Sequence, residues 1–500
     1  MTTTVTRTDY ETIIGLEVHA QLATRSKMFC GCSADYADAP PNTHVCPVCL
    51  GLPGVLPVIN RVAVEYTIMT ALALHCEIPE RSKFDRKNYP YPDLMKGYQI
   101  SQYDMPLSRN GWLEIEVDGQ TRRIGVTRVH LEEDVARLLH RVDETGEAYS
   151  LVDVNRSGVP LMEIVSEPDM RSPAEAQAYL VKLRQILRYL GVSRANMEEG
   201  NFRCDANISI RPRGHPEFGA KVELKNLNSF RSVYRALEYE VERQTRLLEA
   251  GEAVHQETRG WDETHGRTVS QRSKEYAEDY RYFPEPDLPA LELSREYVES
   301  IRARLPELPD ARKRRFMETY GLSSYEANLL TESRAKADYY EAAVSEAMAS
   351  PDRELALRRA KVVANWMLGD FARLLNASQM DIEDAKVRPA DLYAMTLMIE
   401  DGTLSQAAAK TVFEEMFASG RPPREIVADL GLTQISGADE LAGVVARVID
   451  ANPKPVADYL GGKAEALKFL MGQVMKETRG RANPAVVNDL LRSALEARKK

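Results

Sequence analysis

The chain has 500 residues, with 65 Lys+Arg against 75 Asp+Glu and a formal net charge of −10. At the usual one to two hundred residues per domain this predicts about three domains, and 44% hydrophobic and 28% charged residues supply several cores. A small stapled scaffold and a wholly basic nucleic-acid binder are both excluded. The charge is polarised: the stretch 451–500 holds ten Lys+Arg against five Asp+Glu, a net of +5, which leaves −15 on the rest. The basic end is therefore a candidate surface for a polyanion. No apolar run approaches the roughly 18 residues of a membrane helix, and Met1 to Tyr10 lacks the apolar stretch of a signal peptide, so a cytoplasmic protein without membrane contact is expected. Six cysteines are too few for a disulfide framework.

The stretch Tyr10 to Leu22 alternates, with Ile14, Leu16, Val18, Ala20 and Leu22 on one face and Glu17, His19 and Gln21 on the other. Next come Cys30-x-Cys32 and Cys46-x-x-Cys49. Four thiolates in two close pairs suit the closed tetrahedral site of a structural zinc, with no open position for catalysis. Cys76 and Cys204 lack such partners and read as core thiols. Alternation recurs at Val126 to Glu132, where Val129 and Leu131 oppose Arg128, His130 and Glu132. Glu163 and Glu167 then flank Ile164-Val165-Ser166. Carboxylates with an occasional His are a ligand set for Mg²⁺, which keeps waters and bridges substrate phosphates; surface charge with salt bridges is the plainer reading of any one of them.

Ser172-Pro173-Ala174-Glu175 predicts a capped helix start, followed by Leu180, Leu183, Leu187 and Leu190 at helical spacing and a stop at Gly191. Another alternating strand runs from Phe202 to Arg211, with Arg203 and Asp205 on its polar face. A further one, with Ala220, Val222 and Leu224 opposite Lys221, Glu223 and Lys225, leads through Asn226 into a helix from Ser229 to Leu248 that stops at Gly251. Lys221 and Lys225 beside that helix start suit an anion. Three prolines within Phe283 to Pro289 predict a domain boundary, and the remainder reads as helices: Arg312 to Thr319, Ser324 to Leu330, Asp338 to Met348, Ala360 to Ala377, Arg388 to Ile399 and Ser405 to Phe417. Leu441 to Asp450, Lys454 to Thr478 and Pro484 to Arg498 close the chain. Lys463, Lys468, Lys476, Arg479 and Arg481 surround Phe469-Leu470-Met471 there, with Gly461, Gly462 and Gly472 leaving backbone exposed for phosphate contacts. Strands with one open face followed by helices make an α+β fold: a mostly antiparallel sheet cradle over residues 1–294 with helices on one face, an all-α domain over 295–408 and a small helical tail domain over 409–500. No P-loop, Rossmann fingerprint or nucleophile elbow is present.

Several of these stretches carry a resemblance. Ile14 to Leu22, Cys46 to Gly54, Arg86 to Asp93, Gly97 to Tyr103, Asn155 to Pro168, Lys225 to Phe230 and Tyr280 to Leu288 resemble the B-subunit family of the aspartyl/glutamyl-tRNA(Asn/Gln) amidotransferases, GatB. The segment Gly480 to Pro484 resembles that family's C-terminal module, which is shared with the YqeY proteins. The resemblance implies ATP-dependent phosphorylation of the side-chain carboxylate of misacylated Glu-tRNA(Gln) or Asp-tRNA(Asn). Ammonia from a glutaminase A subunit then displaces the phosphate, and a C subunit completes a heterotrimer. It implies Glu17, His19, Glu132 and Glu163 as catalytic Mg²⁺ ligands, Arg203, Asp205, Lys225 and Asn226 as ATP contacts, and Lys87 and Lys96 along an ammonia passage. It also makes the tail a tRNA-binding module. Met95 departs from the proline that many relatives carry before that lysine. The rival reading, a zinc-stabilised RNA-binding scaffold, predicts that the four acidic-face residues lie scattered rather than together.

Overall fold

Alternation with period two puts every second side chain of a strand on one face, and in the computed structural model the apolar sides of seven strands of an eight-stranded sheet form one continuous buried surface. Residues 9–273, 280–433, 438–478 and 481–498 are described, without the side chains of 272, 273, 438 and 439. The strands lie in the order Arg267–Ser273, Glu257–Asp262, Val222–Leu227, Phe202–Pro212, Tyr10–Gln21, Pro160–Ser166, Gln120–Glu133 and Ser108–Val117. All neighbours are antiparallel except Val222–Leu227 with Glu257–Asp262. The α+β class is as the patterning implies.

Three helices cover the apolar face, and Leu16, Val18, Ala20, Val129, Leu131, Ile164, Ala206 and Leu224 are buried in a single core with them. The Pro173–Leu190 helix starts where expected: Ser172 accepts a hydrogen bond from the Glu175 backbone N–H, and Gly191 ends it at φ 69°. Only half of a capping box forms, because the Glu175 carboxylate pairs with Arg122 and with the Arg171 backbone instead. The second helix, Phe230–Glu249, is capped by Ser229. The third, Arg61–Ala73, is absent from the sequence expectations. Nine of its residues are buried, which leaves too narrow a polar stripe to mark a helical period.

The Pro-rich segment is a correction. Phe283–Pro284 pairs with Asp85–Asn88 as a short edge strand, and buried Glu285 takes two hydrogen bonds from Arg86 at 2.6 and 2.8 Å, so the prolines close the first unit rather than end it. The Arg295–Arg302 helix also belongs there, through buried Val298 and Ile301, and the division falls at Leu308/Pro309, beyond the expected 294. The second unit holds two separate cores, one built from residues 316–427 and the other from 441–495. The first of these runs past the expected limit at 408, because Val412, Phe413, Met416, Ile426 and Val427 all pack into it.

The helices of this unit follow the predicted stretches, with the addition of Pro423–Leu430, which the sequence expectations lack. Residues 360–377 are interrupted by a π-helical turn at Met367–Phe371, and residues 454–478 form two helices, Pro453–Leu460 and Glu465–Glu477, broken at Gly461-Gly462 as the glycines there imply. Gly472 sits inside the latter rather than in a turn. Arg479 and Gly480 lie outside the described residues.

Candidate functional site

Sheet register brings the polar faces of the central strands together. His19 stands opposite Arg203 on one side and Glu163 on the other, and Glu163 stands opposite His130. One row of the open face thus reads Arg203, His19, Glu163, His130. Glu132, further along its strand, turns back onto the row: His19 Nε2 lies 3.7 Å from Glu132 Oε1 and 3.6 Å from Glu163 Oε2. His19, Glu132 and Glu163 each offer a ligand atom, and these atoms all lie within 4.8 Å of one another. Two carboxylates and one imidazole fit a divalent cation, and the oxygen donors suit Mg²⁺ or Mn²⁺.

Glu17 is brought to the same cavity but not into that cluster. Its Oε1 accepts from Asn207 Nδ2 at 2.8 Å, one strand away. Glu167 is turned elsewhere, to the Thr127 hydroxyl at 2.7 Å. The residue that sequence reasoning missed is His130, only 2% exposed, whose Nε2 is 3.2 Å from Glu163 Oε2 and 3.7 Å from Glu132 Oε2. Arg128 Nε stands 3.3 Å from its Nδ1, and although burial disfavours the imidazolium, the charge of Glu163 and the hydrogen bonds to Glu132 and Glu163 raise the ring to about 9. Its alternation with Arg128 and Glu132 is the signal that marks it.

The charges hold one another in place. Burial disfavours the His19 imidazolium, but the hydrogen bond to Glu163 and the charges of Glu163 and Glu132 outweigh it and hold the ring above its ordinary value. Burial likewise opposes ionisation of Glu163, and His130 and His19 pull it well below the usual carboxylate range. Glu132 is further held by the Ser101 hydroxyl at 3.1 Å. Next to it, Glu133 accepts from the Ile100 backbone N–H at 3.0 Å and pairs with Lys96.

A cavity of about 250 Å³ opens over this row. It is lined by Glu17, Glu132, Glu163 and His130, by the cations Lys87, Arg128 and Lys221, and by Tyr103, Tyr280 and Tyr282. Tyr103 and Tyr282 stack at 4.2 Å, and Lys87 Nζ lies 4.7 Å from the Tyr280 ring. The expected ATP contacts stand differently. Arg203 Nη2 is 3.0 Å from Asp134, and Lys225 Nζ is 3.0 Å from Asp205 and 3.3 Å from Glu223, so both cations are already engaged. Asn226 sits in left-handed backbone at φ 61° where the chain leaves the sheet for the helix, and the cavity lining does not include it.

The four cysteines form a second cluster. The sulfurs of Cys30, Cys32, Cys46 and Cys49 lie within 4.8 Å of one another. The Cys46 backbone N–H donates to Cys49 Sγ at 3.1 Å, a contact that favours thiolate, and the hydrogen bond from Cys30 draws the Cys49 thiol down to about 4. Four convergent sulfurs with an N–H aimed at one of them fit a structural zinc. Cys76 and Cys204 are buried apart, as expected of core thiols. No helix among the described residues is long and apolar enough to cross a membrane.

Comparison with known proteins identifies the family of the chain. Residues 12–299 match the GatB/GatE catalytic domain and residues 353–495 match the GatB domain. The chain is 58% identical to the aspartyl/glutamyl-tRNA(Asn/Gln) amidotransferase B subunit of Dehalococcoides mccartyi over 98% of its own length and 99% of that protein. The corresponding figures are 57%, 97% and 99% for the same protein of Carboxydothermus hydrogenoformans, and 53%, 98% and 99% for that of Brevibacillus brevis. The chain belongs to the family of aspartyl/glutamyl-tRNA(Asn/Gln) amidotransferase B subunits, a family of ligase components.

Proposed function

We propose that this chain carries out the ATP-dependent half of the amidation of misacylated Glu-tRNA(Gln), Asp-tRNA(Asn) or both, as part of a cytoplasmic heterotrimer with a glutaminase A subunit and a C subunit. The observation that carries the reading is the convergence of His19, Glu132 and Glu163 on the open face, beneath a cavity that also presents three cations. A scaffold with incidental surface acidity has no reason to gather them.

In this reading His19, Glu132 and Glu163, with Glu17 beside them, hold Mg²⁺, which when bound neutralises phosphate charge and orients the reacting oxygens. Lys221 and Arg128 line the same cavity and meet the phosphates. Arg203, Asp205, Lys225 and Asn226 serve ATP from further out, by keeping Asp134 and Glu223 neutralised and by shaping the strand end. A side-chain carboxylate oxygen of the aminoacyl group attacks the γ-phosphorus and ADP leaves. Ammonia then attacks the acyl carbon and phosphate departs. Lys87 on the cavity wall and Lys96, paired with Glu133 behind Glu132, mark the side from which ammonia arrives. The four cysteines hold zinc as a structural clamp, residues 1–308 form the catalytic cradle, and the C-terminal bundle binds tRNA.

The test is Glu132→Gln in the assembled heterotrimer. Transition-state charge left unopposed costs about a hundredfold or more, so tRNA-dependent ATP hydrolysis and amidation fall by at least that much while binding of the charged tRNA is retained. Undiminished hydrolysis removes Glu132 from the reaction. Omitting each charged tRNA in turn identifies the substrate, and full hydrolysis with free glutamate and no tRNA points to an ordinary amino-acid ligase instead.

A further inference from the structure

Lys27 is the anomaly of the first unit. Its side chain has no solvent exposure, yet Nζ donates only to neutral carbonyls, of His44 at 2.8 Å and Val154 at 3.4 Å. Among the described residues no carboxylate lies within ion-pair distance of it. A buried ammonium without a counter-ion is one of the costliest arrangements in a protein interior, and it persists where an anion sits near.

Among the described residues the anionic group that feels this ammonium is a cysteine sulfur, since the Lys27 charge helps to lower the Cys49 thiol. Lys27 N–H donates to the Cys32 carbonyl at 2.9 Å, which anchors the lysine backbone to the first cysteine pair. His44, whose carbonyl takes the ammonium, stands two residues before Cys46. At Gly158 a side-chain carbon would lie 3.6 Å from Lys27 Cδ and 3.8 Å from Cys49 Cβ, so the lysine stem and the buried cysteine run side by side past that glycine. A divalent zinc held by four thiolates carries a net charge of −2, and the low dielectric around Cys49 makes that charge expensive unless a cation accompanies it. We propose that Lys27 is the counter-charge of the four-cysteine metal site: a positioning residue outside the ligand set whose buried ammonium is there to hold a zinc–thiolate dianion. The proposal rests on the zinc reading and adds to it a specific residue and a specific sign.

The sign separates this role from that of a simple latch between three backbone segments. If Lys27 only ties His44 and Val154 together, its removal weakens the metal-free and metal-loaded proteins alike. If it balances charge, Lys27→Met weakens the loaded form, whose four thiolates and zinc carry the larger negative charge, more than the stripped form, in which it faces only the Cys49 thiolate. The experiment uses the full-length chain as wild type, Lys27→Met, Lys27→Gln and Lys27→Arg. Zinc affinity is read by competition with a coloured chelator, and melting midpoints are taken with zinc added and with zinc stripped. Partners just outside a metal's ligand set typically change affinity ten- to a hundredfold, so both neutral variants are expected to lose about tenfold or more while Lys27→Arg stays near wild type. The rise in melting midpoint on adding zinc shrinks in the neutral variants, whereas an unchanged rise, with both forms lowered alike, identifies a latch and overturns the proposal. Lys27→Gln keeps a donor for the His44 carbonyl and decides the affinity comparison where stripped Lys27→Met does not fold. Neutral variants that bind zinc as tightly as wild type overturn the proposal alone. A wild type that binds no zinc overturns the zinc reading and the proposal with it.

Discussion

Asp134 shows how much of the site is built from charges that never touch its cavity. It is buried and accepts from Gln21 Nε2 at 2.7 Å and Arg203 Nη2 at 3.0 Å, with Arg156 Nε at 3.7 Å. Burial opposes its ionisation, but Arg203 and Arg156 hold its carboxyl below the ordinary value, as His130 and His19 do for Glu163. A carboxylate whose folded value lies below its unfolded one contributes its full stabilisation above the unfolded value and loses it as pH falls through the folded one. Stability is therefore expected to decline below about pH 4.5, the ordinary glutamate value, with a steep acid limb to which both groups contribute. Arg203→Gln removes the largest opposing charge from Asp134, so its acid limb is shallower and its stability at neutral pH lower by about 1–2 kcal/mol, a discounted figure because the guanidinium is partly exposed. Chemical denaturation of the chain at pH 7, 5 and 4 reads both effects, and parallel acid limbs for the two proteins would contradict this assignment.

At the scale of elements, the cradle depends on how closely its edge strand approaches the end of the first helix. Trp112 N–H donates to the Leu74 carbonyl at 2.8 Å, and a methyl group added at Gly111 would lie 2.6 Å from that oxygen and 2.3 Å from Cys76 Sγ. Gly111→Ala is expected to destabilise the first unit by about 1–3 kcal/mol through overpacking, read as a lower denaturation midpoint. The neighbouring glycine of the hairpin, Gly119, has open space and φ 73°, so alanine there costs only backbone strain of about 1 kcal/mol. Equal losses at the two positions would show that contact is not what matters at Gly111. Ser229→Ala tests the helix behind the Lys225 strand end, where the Ser232 backbone N–H loses its acceptor at a cost of about 1 kcal/mol.

For the whole molecule, the presence of two cores in the second unit changes where the tRNA prediction must be tested. A cut at residue 451 would split the bundle formed by 441–495, because Leu441, Val445, Val448 and Ile449 share its core with Leu470, Val474, Val487 and Leu491. Ending the chain after Thr433 removes the bundle as a unit. The truncated heterotrimer is expected to bind tRNA more weakly and with a flatter dependence on salt, by roughly one in the logarithmic slope for each phosphate that the bundle no longer neutralises, while glutamine hydrolysis by the A subunit continues. Filter binding across a salt series measures it, and an unchanged slope would leave the basic bundle without a role in tRNA binding. The residues named for this surface are partly engaged: Lys463 pairs with Asp458 at 2.9 Å inside the bundle, and Arg481 donates to the carbonyl of Gly431, before it, at 3.1 Å.

The sequence by itself determined what is local and periodic. Alternation over Tyr10–Gln21 and Phe202–Pro212 announced both strands and their polar faces, the caps at Ser172 and Ser229 announced two helix starts, and Cys30, Cys32, Cys46 and Cys49 announced their cluster by spacing alone. Its longer motifs also carried the family resemblance. Tertiary structure decided what depends on neighbours distant in sequence. Register across three strands set His130 beside Glu163 and left Glu17 on Asn207, and no pattern within a single strand contains that information. The Arg61–Ala73 helix was hidden because burial on most sides erases its period, and the prolines at 284, 286 and 289 mark an edge rather than a boundary because Arg86 and Asp85 come to meet them. Lys27 belongs to the same class: only the packed fold leaves it buried beside Cys49.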